Sequence, residues 1–175
     1  MNIKDSIRTI PDFPKAGIMY RDITTLLADP DALKASITQL ADAMRVYNPD
    51  MIAGIEARGF IFGAAIAAEL GLGFIPIRKA GKLPHKTFRQ DYELEYGTDT
   101  LEVHQDVVKA GSRVVIIDDL IATGGTALAA AALLRQAGAK VPAAGFVIDL
   151  PELGGAQKLK NANISSHALV AFEGH

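Results

Sequence analysis

Apolar positions along the 175-residue chain switch repeatedly between helical and strand spacing. Leu33, Ile37, Leu40, Ala41 and Met44 recur at helical intervals behind Asp29-Pro30-Asp31, where an acidic cap, a first-turn proline and a second acid favour a helix start. The pattern predicts an amphipathic helix that ends near Asn48-Pro49. Met51 to Ile55 is a short unbroken apolar run and predicts a strand; Phe60 to Leu70 returns to helical spacing until Gly71 stops it. Gly73 to Ile77 reads as a second strand opening onto Arg78-Lys79-Ala80-Gly81-Lys82-Leu83-Pro84. From Arg78 to about Thr100 the chain turns polar and Gly- and Pro-punctuated, with aromatics at Phe88, Tyr92 and Tyr96. That stretch predicts a long, mobile excursion with partial strand character, of the length that serves as a lid or binding loop. Arg113 to Ile117 is a β-branched run without alternation, the mark of a strand buried on both faces. Gly124 to Gln136 is helical and stopped by Gly138, and Val141 to Leu150 and Ile164 to Phe172 predict two further strands around a short helix near Leu153 to Leu159. Strands alternating with helices at this spacing predict an α/β fold with a mostly parallel sheet covered on both faces. Its ligand belongs beyond the carboxyl ends of the strands. No repeat or linker interrupts the chain, and its length suits one domain over residues 1–175.

Composition narrows the chemistry. Lys plus Arg total 18 and Asp plus Glu 20, a formal charge of -2, which argues against a nucleic-acid binder relying on a net basic field. With no cysteine, thiolate metal sites, disulfides and cysteine nucleophiles drop out. Met1 to Arg8 mixes charges and lacks the apolar core of a secretory signal. The run from Gly59 to Ala68 is far short of the roughly 20 apolar residues that span a bilayer. The expectation is a soluble, cytoplasmic protein that binds neither membrane nor nucleic acid.

The segment richest in chemistry runs from Val114 through Ile117-Asp118-Asp119-Leu120-Ile121-Ala122-Thr123-Gly124-Gly125-Thr126. A buried strand ends in two adjacent carboxylates, and a Gly-Gly loop flanked by threonines then leads into a helix. Glycines let backbone N–H groups approach an anion, the helix N-terminus adds partial positive charge, and the hydroxyls of Thr123 and Thr126 can donate further bonds. Together they predict a phosphomonoester cradle. Carboxylates at its mouth would repel phosphate, so Asp118 and Asp119 should address sugar hydroxyls, a divalent metal, or both. Neither a P-loop nor a Gly-x-Gly-x-x-Gly turn after a strand is present, which weakens triphosphatase and dinucleotide readings.

This stretch resembles the phosphoribosyl pyrophosphate signature of the type I phosphoribosyltransferase family. Four more segments extend the resemblance to the adenine-specific members of that family: Asp12-Phe13-Pro14-Lys15-Ala16-Gly17-Ile18-Met19-Tyr20-Arg21-Asp22-Ile23, Glu56-Ala57-Arg58-Gly59-Phe60, Arg78-Lys79-x-Gly81-Lys82-Leu83-Pro84 and Tyr92-Glu93-Leu94-Glu95-Tyr96-Gly97. The resemblance implies a mostly parallel twisted sheet flanked by helices, a small N-terminal hood over residues 1–30 and a flexible catalytic loop over 78–100. It implies transfer of ribose 5-phosphate from phosphoribosyl pyrophosphate to N9 of adenine, giving AMP and pyrophosphate. On this reading Ala122, Thr123, Gly124, Gly125 and Thr126 hold the 5′-phosphate, and Asp118 and Asp119 hold the ribose hydroxyls. Arg58, Arg78, Lys79 and Lys82 surround the pyrophosphate. Glu95 is the catalytic carboxylate that handles a proton on the imidazole edge of the base. Magnesium bridges sugar and pyrophosphate oxygens, with no direct protein ligation required.

Adenine recognition falls to Ile18, Met19, Tyr20, Arg21 and Leu120. Tyr20 stacks on the purine where the family commonly has Phe, and Leu120 covers the other face. A backbone carbonyl between Ile18 and Arg21 would accept from the exocyclic amine of adenine and meet a carbonyl on hypoxanthine or guanine unpaired, worth roughly 1–3 kcal/mol. Tyr96 either covers the site or packs half-buried in a sheet. His85, His104, His167 and His175 show no metal-ligand spacing. A homodimer follows from the resemblance. The alternatives are transfer to hypoxanthine, guanine or xanthine, and a regulator that senses phosphoribosyl pyrophosphate; no basic helix-turn-helix unit fits before Asp12 to support the regulator.

Overall fold

The computed structural model describes residues 2–94 and 96–175. After a 3-10 turn at Ile3–Ser6, strands β1 (Arg8–Pro11) and β2 (Met19–Asp22) pair antiparallel as a separate two-stranded ribbon. Helices α1 (Thr24–Ala28) and α2 (Pro30–Arg45) follow. The start of α2 is built as the sequence predicts: the Asp29 carboxylate accepts from the N–H groups of Asp31 at 3.0 Å and Ala32 at 3.2 Å, with Pro30 in the first turn. Its end comes earlier than Asn48, because Val46 is already the C-cap and Asn48 adopts a left-handed backbone at φ 49°.

Strand β3 (Met51–Ile55), helix α3 (Arg58–Leu70) and strand β4 (Gly73–Lys79) form a parallel βαβ unit, with Gly71 closing α3 at φ 72°. Strands β5 (Thr87–Glu93) and β6 (Thr98–His104) come next. They are followed by β7 (Val114–Ile121), α4 (Gly125–Gln136), β8 (Ala143–Asp149), α5 (Gly155–Asn161) and β9 (Ser165–Ala171). The larger sheet runs β5-β6-β4-β3-β7-β8-β9, parallel from β4 to β9 and antiparallel where β6 meets β4 and β5.

Two apolar cores lie on opposite faces of this sheet. Successive residues of β7 alternate between them: Val114 and Ile116 pack with Ile75, Leu133, Leu134 and Phe146, while Val115 and Ile117 pack with Leu40, Met44, Phe62 and Ile66. A strand buried on both faces therefore needs no polar alternation, which is why its sequence is a continuous apolar run.

One expectation is revised. The stretch from Arg78 to Thr100, read as a long excursion with partial strand character, is mostly strand from Thr87 onward. Its second half is a hairpin in which Thr87 pairs with His104 and Glu93 with Thr98, and β5 packs on α4. The polar sequence TFRQDYE hid this strand because one of its faces stays open to solvent. The N-terminal segment likewise contains a paired ribbon that its four-residue, largely exposed strands do not announce.

Candidate active site

The chain crosses the middle of the sheet at β3 and β7, whose connections leave toward opposite faces, so a crevice opens beyond their carboxyl ends. Ligand chemistry is concentrated there. β7 carries Asp118 and Asp119 and ends at Ile121; the chain then turns through Gly124, at φ 89°, into α4. The first turn of α4 has N–H groups without intrahelical partners, the ordinary supply of donors for an anion. A cavity of about 150 Å³ lies against this turn, lined by Asp118, Leu120 and the backbone from Ala122 to Thr126.

The cradle is braced from below by the start of α5. Gly155 donates its N–H to the Ala122 carbonyl at 3.1 Å, and Leu150 donates to the Ile121 carbonyl at 3.0 Å. A Cβ on Gly155 would fall 2.5 Å from the Ala122 carbonyl oxygen and 3.0 Å from the Gly124 nitrogen, so only glycine permits this approach. Gly59 plays the same part for α3, since a Cβ there would stand 2.9 Å from an Asp118 carboxylate oxygen.

A second cavity of about 470 Å³ adjoins the first and shares Asp118 and Thr126 with it. Its walls include Glu56, Ala57 and Arg58 from the loop after β3, Lys79 from the end of β4, Tyr92, Leu94 and Asp99 from the hairpin, and Asp119. Asp118, half-buried, lies between the cavities. Burial pushes its carboxyl well above the ordinary value, and the adjacent Asp119 carboxylate pushes it further. Asp119 is buried but charge-paired, 2.6 Å from Arg58 Nε. Arg58 also donates to the Tyr20 hydroxyl at 2.7 Å. Burial, the largest single effect, would lower the Arg58 pKa, but the Asp119 carboxylate, the Tyr20 hydroxyl and Asp118 together outweigh it and the value rises.

The other cations predicted around a leaving group are also matched with carboxylates. Arg78 Nε lies 3.2 Å from Glu56, Lys82 pairs with the other Glu56 oxygen, and Lys79 Nζ lies 3.4 Å from Asp99. Asp99 is held below its usual value, first by the Thr100 N–H and also by Lys79. Burial raises the Tyr92 phenol, and Asp99 adds to the rise. Glu56, Asp99 and Tyr92 are thus site residues to which the sequence reading assigned no role. The pairing of β3 with β4 brings Glu56 level with Arg78 and Lys79, that of β4 with β6 brings Lys79 to Asp99, and the β5–β6 hairpin sets Tyr92 opposite Asp99.

The base-recognition segment comes to the same crevice through Tyr20, whose half-buried ring meets Phe13 edge-on at a centroid distance of 5.2 Å. Ile18 and Met19 are 40% and 39% exposed. The Ile18 carbonyl already accepts from the Phe13 N–H at 3.2 Å. The Arg21 side chain points elsewhere: it donates to Thr9 at 2.7 Å and to the carbonyls of Glu173 and Gly174 at 3.1 and 2.8 Å, and stacks over Phe172. It anchors the C-terminal residues rather than facing the crevice. Glu95 lies outside the described residues. Tyr96 is 82% exposed, which rules out half-buried sheet packing. Among the described residues no group of three or more His, Asp or Glu could hold a metal ion, and the histidines make local contacts such as His167 with Tyr47 at 2.6 Å. A cleft of about 650 Å³ lies at the amino end of β9 between Tyr47, Lys160 and His167; it contains no carboxylate and none of the residues singled out for chemistry.

A parallel sheet with a glycine cradle after one central strand and an arginine loop after its neighbour defines a phosphoribosyltransferase of type I. The chain belongs to that family, matching the phosphoribosyl transferase domain over residues 22–154. Its relatives place it, within the family, among the adenine phosphoribosyltransferases. That of Erythrobacter litoralis is 63% identical over 173 residues, covering 99% of this chain and 97% of the relative. That of Methylorubrum extorquens is 58% identical over 99% of this chain and 96% of its own length. The crystal structure of the Thermoanaerobacter pseudethanolicus protein superposes with a TM-score of 0.92 at 50% identity, covering 97% of this chain and 98% of the other. The Saccharomyces cerevisiae protein, solved in complex with an imino-altritol bisphosphate and adenine, superposes with a TM-score of 0.89 at 40% identity over 96% of each chain.

Proposed function

We propose that this site transfers the 5-phosphoribosyl group of phosphoribosyl pyrophosphate to N9 of adenine, releasing pyrophosphate and leaving AMP, a purine salvage reaction. The observation that carries the reading is the shared wall of the two cavities. Asp118 lines both, so a ribose held there has its 5′-phosphate on the Gly124 cradle and its C1 substituent toward Arg58. The backbone from Ala122 to Thr126 binds the phosphate, Asp118 and Asp119 the ribose hydroxyls, and Arg58, Arg78, Lys79 and Lys82 the pyrophosphate.

In the transfer, the C1–oxygen bond breaks with its electron pair going to pyrophosphate, positive charge develops on the sugar, and N9 of adenine supplies the new bond. Little covalent chemistry falls to the protein, so positioning and charge compensation carry the rate. The pairing of Arg58 with Asp119 and of Lys79 with Asp99 means that substrate binding exchanges partners: ribose hydroxyls take over the carboxylate, and phosphate oxygens take over the cation. Glu95 receives the imidazole proton. Tyr20 and Leu120 flank the purine, and with the Ile18 carbonyl already engaged, the carbonyls from Met19 to Arg21 are the ones to read the exocyclic amine. Magnesium brought with the substrate would be held beside Asp118 and Asp119, whose carboxylates suit a hard divalent cation, and would lower the charge on the leaving group.

A cytoplasmic homodimer belongs to the same reading, and no helix among the described residues is long and apolar enough to cross a membrane. Nucleotide formation from phosphoribosyl pyrophosphate, magnesium and each purine in turn tests the proposal: adenine must give AMP.

A further inference from the structure

Glu56 takes no part in the transfer as described, yet its side chain is only 7% exposed and is surrounded by donors. One carboxylate oxygen accepts from the Lys79 N–H at 2.7 Å and from Arg78 Nε at 3.2 Å; the other pairs with Lys82. Strand register explains the placement. Ile55 stands opposite Ile77 in the parallel pair of β3 and β4, and the Glu56 N–H donates to the Ile77 carbonyl at 3.0 Å. The residue that leaves β3 is therefore fixed level with the residues that leave β4, and Arg58 follows it by two positions.

Charge counting separates this cluster from its neighbours. Arg58 with Asp119 and Lys79 with Asp99 are one cation to one carboxylate. Glu56 holds two cations and leaves one positive charge in surplus. Burial alone would favour a neutral Glu56, but Lys82 and the Lys79 N–H hold its pKa below the ordinary value, so it stays an anion. Without it, Arg78 and Lys82 would repel each other, and each long side chain would have to be ordered at the moment an anion binds, at a cost in rotamer freedom.

We infer that Glu56 is a positioning residue for the diphosphate subsite, holding Arg78 and Lys82 side by side next to the wall of the cavity so that an incoming diphosphate meets an ordered, net positive pair. The inference rests on the functional reading above, and its test separates the two. Calorimetric titration of the full-length protein with pyrophosphate plus magnesium, and separately with AMP, is compared for the wild type and Glu56→Gln. The amide keeps the bond from Lys79 N–H and removes the charge. Pyrophosphate affinity should fall about ten-fold, the effect of one charge-assisted contact, with AMP affinity changed by less than about two-fold. In steady state, KM for phosphoribosyl pyrophosphate should rise while KM for adenine stays put. Equal losses for both ligands would mean a general structural role and overturn the inference, as would unchanged or tighter pyrophosphate binding. If Glu56→Gln does not fold, Glu56→Asp, which withdraws the carboxylate by one methylene, should show the same selective loss, and wild-type affinity for pyrophosphate in that variant overturns it. A wild type that binds neither ligand overturns the functional reading itself.

Discussion

Asp118 and Asp119 are neighbours at the end of β7 with different electrostatic surroundings. Asp119 has Arg58 as a counter-charge; the half-buried Asp118 is desolvated and has the Asp119 carboxylate beside it, and its pKa is driven up. An acid whose folded pKa exceeds its unfolded value near 3.8 costs stability once pH rises through that value, and the full cost applies above the folded pKa. Asp118→Asn should therefore stabilise the protein at neutral pH by roughly 1–3 kcal/mol, raising Tm by about 2–4 °C per kcal/mol. The same change should weaken phosphoribosyl pyrophosphate binding by about ten-fold or more through the lost ribose contact. Thermal unfolding and titration calorimetry check the pair of outcomes, and a variant that is neither more stable nor weaker in binding contradicts the assignment. The carboxylates and the cradle loop were legible in the sequence because their own residues lie together between Val114 and Thr126; the brace at Gly155 was not. Glu56 was not, because Lys82 is 26 positions away, nor was the contact of Arg58 with Tyr20, 38 positions apart.

At the level of elements, the phosphate cradle depends on the start of α5 as much as on its own glycines. Gly155 does not need a left-handed backbone; its neighbour Gly154, at φ 78°, provides that. Gly155→Ala thus isolates the clash of a Cβ with the backbone of residues 122–124, which no rotamer change can relieve. It should destabilise by roughly 1–3 kcal/mol and weaken AMP binding, measured by thermal unfolding and calorimetry; wild-type values in both would show that the brace is dispensable. The N-terminal ribbon depends on Asp22. Its carboxyl is lowered to about 2, chiefly by the Thr24 N–H and the Arg8 side chain. A depressed acid stabilises above its unfolded value of 3.8 and loses that contribution as pH falls toward 2. Hydrogen exchange should show Arg8–Pro11 and Met19–Asp22 losing protection across that window before β3 and β7 do, and protection that persists at pH 2 would contradict the lock. Elements buried on both faces, β3 and β7 above all, could be read from unbroken apolar runs. β1, β2 and β5 could not, because strands with an open face and few apolar residues look like loops until their partners are known.

Over the whole molecule, the sheet order makes one site of segments that the sequence keeps apart. With β3 beside β7, the arginine loop at 56–58 adjoins the carboxylates and cradle at 118–126, and the β1–β2 ribbon brings Tyr20 against Arg58. The formal charge of -2 gives no hint of an anion site, because the cations of the crevice stand beside carboxylates, with only one positive charge in surplus at Glu56, and the phosphate is left to backbone N–H groups. The central claim is that this assembly joins ribose 5-phosphate to adenine and selects it by a backbone carbonyl that other purines leave unpaired. The direct measurement supplies phosphoribosyl pyrophosphate, magnesium and equal concentrations of adenine, hypoxanthine and guanine together, and follows the nucleotides formed by chromatography. A discrimination of roughly 1–3 kcal/mol predicts AMP in excess by at least about ten-fold over each other product. Hypoxanthine or guanine nucleotide in equal or greater yield, or no nucleotide at all, would contradict the account.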